Sequence, residues 1–143
     1  MSSVGKKLKK EAKKFFKKQK FVVCPAFPKE KILFNSKGVS HLFYTGAQKR
    51  YPRPFKESKT RISLLPLAVR VLELLALPQE ESIYEIDGQK AVYWAFEGVI
   101  DNKRIKVIVR KVGNGAKHFW SVIPAWRKAR GTRVNAKGNL AKQ

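Results

Sequence analysis

Cysteine is nearly missing: Cys24 is the only one in 143 residues. That excludes an internal disulfide framework and leaves a reducing compartment open. Histidine is almost as scarce, with His41 and His118 alone, so no Cys or His pair stands at zinc spacing. Acidic residues number ten, with no calcium-loop pattern among them. Half of them fall between Glu73 and Asp87, away from the basic segments. A Mg²⁺ nuclease, which needs two or three convergent carboxylates, is therefore disfavoured. No metal and no cofactor is expected. No apolar run reaches the roughly 18 residues of a membrane span. The lysines at the N-terminus are not followed by the apolar stretch of about 7–15 residues that marks a secretory signal. Gly113-Asn114-Gly115-Ala116-Lys117 lacks the Walker spacing and reads as a turn between strands. Asp87 and Asp101 also read as turn residues, so a Ser-His-Asp arrangement has little support.

What the chain has is positive charge. Lys plus Arg is 32 against ten acids, a formal +22. Self-repulsion on this scale destabilises a compact state unless a polyanion relieves it. Nucleic acid is the first candidate partner, ahead of an acidic protein and an anionic membrane surface. Residues 1–30 carry ten Lys and two Glu, residues 31–60 seven bases and one acid, and residues 121–143 six bases and no acid. The sign reverses only in residues 61–90, with three bases and five acids. Hydrophobic residues make up 43%, enough for one domain with a real core.

Along the chain, Leu8, Ala12, Phe15 and Phe16 form one narrow apolar stripe in GKKLKKEAKKFFKKQK. A docked basic helix, a nucleic-acid arm and a membrane-surface helix all fit that pattern. Residues 24–31 contain two prolines and read as an extended connection, and Ile32 to Phe34 as a short strand. Asn35 or Ser36 can cap a helix through Val39, His41, Leu42, Phe43 and Tyr44 that ends at Gly46. Residues 47–61 are a basic loop, because Pro52 and Pro54 forbid a regular helix there. Thr60 can cap a mostly apolar helix over 60–76, with Arg61 at its N-terminal edge. Ile83, Glu85 and Asp87 border a turn at Asp87–Gly88, and with residues 91–100, 103–112 and 118–123 this reads as four strands in hairpin succession, with further turns at Asp101–Asn102 and Gly113–Gly115. The expected fold is α+β: two helices on a four-stranded antiparallel meander, one sheet face left open, with an extra basic N-terminal helix. Residues 1–31 read as basic helix and linker, 32–126 as the main domain and 127–143 as a basic flexible tail.

These ingredients suit metal-free phosphate chemistry. RNA carries its own nucleophile, the 2′-hydroxyl. Cleavage then needs a proton carrier, for which histidine is the natural choice near neutral pH, and cations for the phosphorane. His41 reads either as general base or acid, or as a helix histidine packed on the sheet. Arg61 reads as a phosphate ligand or a solvated residue, and Ser121 as a phosphate donor or an ordinary strand serine. In the basic loop, Lys49, Arg50, Arg53, Lys56 and Lys59 can hold phosphates, with Tyr51 and Phe55 placed to stack on bases. Lys117 and His118 are further candidates on the last strand, where His118 also reads as structural. Tyr93, Trp94, Trp120 and Trp126 read as core or as stacking platforms.

The helix segment VSHLFYTG, the helix start RISLLPLA and the last strand KHFWSVIP carry a resemblance. With two helices before a four-stranded meander, the pattern resembles the barnase, EndoU, colicin and RelE (BECR) nuclease superfamily over about residues 32–124. The resemblance implies a metal-independent, toxin-type endoribonuclease that cleaves tRNA or rRNA by 2′-hydroxyl attack on the adjacent phosphate. It implies catalytic roles for His41, Arg61 and Ser121, action in the cytoplasm after delivery as part of a larger polypeptide, and an acidic immunity or antitoxin protein as partner. The alternative is a non-catalytic RNA-binding protein, ribosome- or phage-associated.

Overall fold

Tight turns set the register of the sheet. Asp101 and Asn102 take φ of 51° and 62°, and Asp87 and Gly88 take 50° and 77°. Positive φ at both central positions is what a type I′ hairpin demands, and Asp, Asn and Gly tolerate it. The computed structural model describes residues 3–45, 51–126, 128–129, 132–133 and 138–143. In it these turns join β5 (Glu80–Ile86), β6 (Gln89–Ile100) and β7 (Lys103–Val112), and β8 (His118–Pro124) follows the turn at Gly113. The four pair antiparallel in sequence order.

The expected four-stranded antiparallel meander with two helices is not the architecture found. β1 (Phe21–Val22) and β2 (Ile32–Leu33) extend the sheet to six strands in the order β1-β2-β8-β7-β6-β5. The sheet is mixed, because β2 runs parallel to β8. Strands of two residues are too short to show alternation, which is why the sequence pattern misses the sheet's extension. Two further hairpins lie apart from it: β3 (Tyr44–Thr45) with β4 (Tyr51–Pro52), and β9 (Lys128–Ala129) with β10 (Thr132–Arg133).

The described residues form four helices: α1 (Ser3–Gln19), α2 (Ser36–Phe43), α3 (Phe55–Ser63) and α4 (Leu65–Leu74). The single helix expected over 60–76 is thus two. Pro66 has no N–H to bond back to Ile62, and its ring would clash there, so a continuous helix cannot pass. α3 starts immediately after Pro54 instead. Thr60 is inside α3, its hydroxyl donating to Lys56 O at 3.0 Å. Arg61 therefore lies in the last turn of α3, not at a helix start, and the expected anion site on helix N–H groups does not apply to it.

Each sheet face has its own cluster. On one, Phe96, Val107, Val109 and Phe119 pack with Leu42 of α2 and Leu65 and Leu72 of α4. Leu8, Ala12 and Phe16 of α1 belong to this same core. The Phe16 ring lies 5.3 Å from Phe34 and 5.6 Å from Phe119. Residues 1–31 thus share a core with 32–126, where the sequence reading draws a boundary. The other sheet face is not open. Ala91, Tyr93, Ala95 and Ile108 are buried there together with Leu140, which is 0% exposed. Residues 138–143, expected in a mobile tail, lie on this face.

Candidate active site

A bulge in β8 builds the site. Ile108 pairs with Ser121 and Val109 with Phe119, so Trp120 is an extra residue on its strand. One inserted residue breaks the alternation of faces. Phe119 and Val122 enter the main core, while Trp120 joins the cluster on the other face.

α2 presses against this strand. A Cβ on Gly38 would lie 2.6 Å from Phe119 O, so the close approach requires glycine. Asn35 caps the helix as expected, its side chain accepting from Lys37 N at 3.1 Å. About one turn beyond Gly38, the His41 ring stacks on Trp120, with centroids 4.0 Å apart and planes at 18°. The Arg110 guanidinium lies 3.7 Å over the same indole, and Tyr93 meets it edge-on at 6.2 Å.

Arg53 clamps His41. Its Nε donates to His41 O at 2.8 Å, one terminal nitrogen lies 2.9 Å from His41 Nε2, and the other bonds Glu57 Oε1 at 2.8 Å. A guanidinium only donates, so Nε2 is the acceptor and the ring proton belongs on Nδ1. Burial, reinforced by Arg53, Arg61 and Arg110, pushes the His41 pKa from 6.5 down to about 2. The imidazole is neutral at physiological pH.

Arg61 is 5% exposed. One terminal nitrogen donates to Ser121 Oγ at 2.6 Å and also to the main-chain oxygen of Gln143, and the other pairs with Glu57 at 3.1 Å. Burial and the neighbouring Arg53 lower its pKa to about 10, which still leaves it charged at neutral pH. Ser121 Oγ donates to the same Gln143 oxygen at 2.8 Å. His41 is hydrogen-bonded to the Gln143 main chain as well. Side chains from α2, α3 and β8 therefore meet at one main-chain group. Arg61 Nε, buried beside it, has no hydrogen-bond partner among the described residues. Lys106, 0% exposed, holds Glu80 at 2.7 Å and the Gln143 side-chain oxygen at 2.7 Å.

On the His41 side of this cluster lies a cavity of about 840 Å³ whose walls include Ser40, His41, Tyr51, Tyr93, Arg110 and Trp120, while Arg61, Ser121 and Gln143 do not line it.

The other sequence candidates are distributed unevenly. Arg53 is committed to His41 and Glu57, so it positions the histidine rather than meeting a ligand. Lys117 is buried in an ion pair with Glu30, its ammonium 4.6 Å over Phe27 and 5.2 Å over Trp94. That is a structural role, and its hydrogen bond holds the Glu30 carboxyl below its ordinary pKa. His118 Nε2 accepts from Arg110 Nε at 2.9 Å. Burial and Arg110 lower its pKa to about 4, so it steadies Arg110. Tyr51, Phe55, Lys56 and Lys59 are exposed. Lys49 and Arg50 lie outside the described residues, as does Gly46 at the expected end of α2.

Glu57, Lys106, Arg110 and Gln143 are the site residues that sequence reasoning misses. Lys106 and Arg110 carry a readable signal, since they alternate with Ile105, Val107 and Val109 and so face away from the main core. Nothing local announces Glu57 or Gln143.

Among the described residues, no three His, Cys, Asp or Glu side chains are grouped to hold a metal ion, and no helix is long and apolar enough to cross a membrane. Comparison with protein-family models, curated proteins and solved structures finds no match to this chain.

Proposed function

We propose that this protein is a metal-independent endoribonuclease of the toxin type, and that the scissile phosphate takes the position now held by the Gln143 main-chain oxygen. The observation that carries this is that Arg61 and Ser121, from two separate elements, both donate to that oxygen, with His41 of a third element beside the same Gln143 main chain. Donors fixed in a water-poor pocket stabilise developing charge without reorganising. Arg61 supplies the permanent charge, and its unpartnered Nε–H offers a further donor to a phosphate oxygen. The same triad of a helix histidine, an arginine on the next helix and a late-strand serine is what the resemblance to the BECR superfamily implies.

His41 takes a different role from the proton carrier suggested by its sequence position. Arg53 occupies Nε2, and burial keeps the ring neutral. Neutral imidazole with its proton on Nδ1 is a hydrogen-bond donor to an oxyanion. His41 then stabilises the phosphorane: the 2′-oxygen bonds phosphorus as its proton passes to solvent hydroxide, and the P–O5′ bond breaks with the 5′-oxygen taking a proton from water. The substrate class is tRNA or rRNA, and an acidic immunity or antitoxin protein is the partner that a +22 chain with this pocket suits.

The engagement of both histidines favours one alternative, a non-catalytic RNA-binding protein. A single assay separates the two. Purified protein incubated with a defined RNA in EDTA yields fragments ending in 2′,3′-cyclic phosphate if it is the proposed enzyme. Intact RNA that is nevertheless bound selects the alternative.

A further inference from the structure

A second cavity, of about 430 Å³, opens beside the first. Ser36, Ser40 and Tyr44 line both, so the two adjoin along α2. The far wall is α1, which contributes Lys9, Lys13 and Lys17. These lysines recur every fourth residue, about 6 Å apart along the helix axis. Lys9 Nζ lies 5.6 Å over the Tyr44 ring, and the floor includes Phe16 and Phe34. Cations at regular spacing beside hydroxyls and an aromatic ring are the elements that bind a single-stranded polynucleotide.

A membrane surface does not fit. The apolar stripe that would enter a bilayer, Leu8, Ala12 and Phe16, is buried in the core. Beyond Ser3 and Val4 at its start, what α1 exposes along the flanks of that stripe is charge.

We infer that Lys9, Lys13 and Lys17, with Ser36, Ser40 and Tyr44, form a phosphate-binding track for the RNA strand leading to the cavity walled by His41, behind which Arg61 and Ser121 lie. This inference rests on the function proposed above, and it names where the rest of the substrate lies. The strand crosses α2, its phosphates meet the lysines, and a base near the pocket stacks on Tyr44.

The test compares two variants of equal net charge. One carries Lys9→Gln, Lys13→Gln and Lys17→Gln. The other carries Lys7→Gln, Lys14→Gln and Lys18→Gln on the opposite flank of the buried stripe. Gln and Lys have similar helix propensity, so α1 is retained in both. Binding of a non-cleavable single-stranded oligodeoxynucleotide is followed by fluorescence anisotropy across a salt series. The track variant is expected to lose at least about tenfold affinity near 0.1 M salt. Its slope of log K against log salt should shrink by about 2, at roughly 0.7 per phosphate contact over three contacts. The opposite-flank variant should stay within about twofold and keep the parental slope. Equal losses in both variants, or none in either, overturn the track. A dinucleoside monophosphate, which reaches only the pocket, tests the function separately. If all three proteins cleave it in EDTA, the catalytic reading stands whatever the track does. If none cleaves it while the two variants still differ in binding, the track stands as an RNA site and the catalytic reading falls.

Discussion

Arg61 is the residue on which the account turns, because it alone joins Glu57, Ser121 and the Gln143 oxygen. Arg61→Ala is expected to reduce RNA cleavage at least about 10²-fold, the usual cost of removing a transition-state donor. Arg61→Lys keeps the charge but not the forked geometry, and should recover only a small part of the rate. Because Arg61 donates to Ser121, the double variant with Ser121→Ala should fall short of the product of the single effects, as measured in a double-mutant cycle. His41 gives a separate test through pH. Its folded pKa of about 2, and that of His118 near 4, lie below the ordinary 6.5. Between those values the unfolded chain binds protons that the folded chain does not. Stability is therefore complete above about pH 6.5 and is lost as pH falls through the acid range, at up to about 1.4 kcal/mol per pH unit for each histidine. His41→Asn should flatten this dependence in denaturant titrations between pH 4 and 6. It should also keep more activity than His41→Ala, since it retains an N–H donor. A proton carrier at this position would show no such rescue.

At the scale of elements, the segment Gly138–Gln143 does what no pattern in the sequence suggests. Leu140 is anchored among Ala91, Tyr93, Ala95 and Ile108, Trp120 Nε1 donates to Ala141 O at 3.2 Å, and Gln143 reaches the pocket. The phosphate must displace that oxygen to enter. Leu140→Asp should loosen the anchor, because burying an unpaired carboxylate is costly. The expected result is tighter binding of inorganic phosphate by calorimetry and a higher initial cleavage rate. Unchanged phosphate affinity would contradict the assignment of this oxygen to the phosphate position. α2 gives the converse case. Gly38→Ala should destabilise by about 1–3 kcal/mol in urea titration, because its Cβ meets main chain that cannot yield. The sequence is legible where local rules decide. Asp101–Asn102 and Asp87–Gly88 mark their turns because few residues accept positive φ, and Asn35 marks its cap. It is illegible where the cause is distant. The β8 bulge and the docking of Leu140 each depend on a partner far along the chain. His41, Arg61 and Ser121 could be named as candidates from residue type. That they meet at the Gln143 main chain comes only from the tertiary fold.

The whole molecule is a strongly cationic body whose N-terminal helix is part of its core. Deleting residues 1–20 removes Ala12 together with Leu8 and Phe16, the latter two each worth about 1.5–3 kcal/mol when fully buried. Such a truncation should unfold rather than merely weaken RNA binding, with loss of cooperative melting as the readout. The +22 charge makes the folded state sensitive to its ionic surroundings. Tm should rise on adding a polyanion such as polyphosphate, and this gain should shrink as salt increases. A Tm indifferent to polyanion would argue against nucleic acid as the natural partner. The measurement closest to the central claim is a 3′-end analysis of one defined RNA after incubation in EDTA with the parent protein and with Arg61→Lys, both verified as folded by circular dichroism. Fragments with 2′,3′-cyclic phosphate ends are expected from the parent, and from the variant a rate lower by close to the loss of about 10²-fold expected of Arg61→Ala. Intact RNA, 3′-hydroxyl ends, or equal cleavage by the two proteins would contradict the central claim.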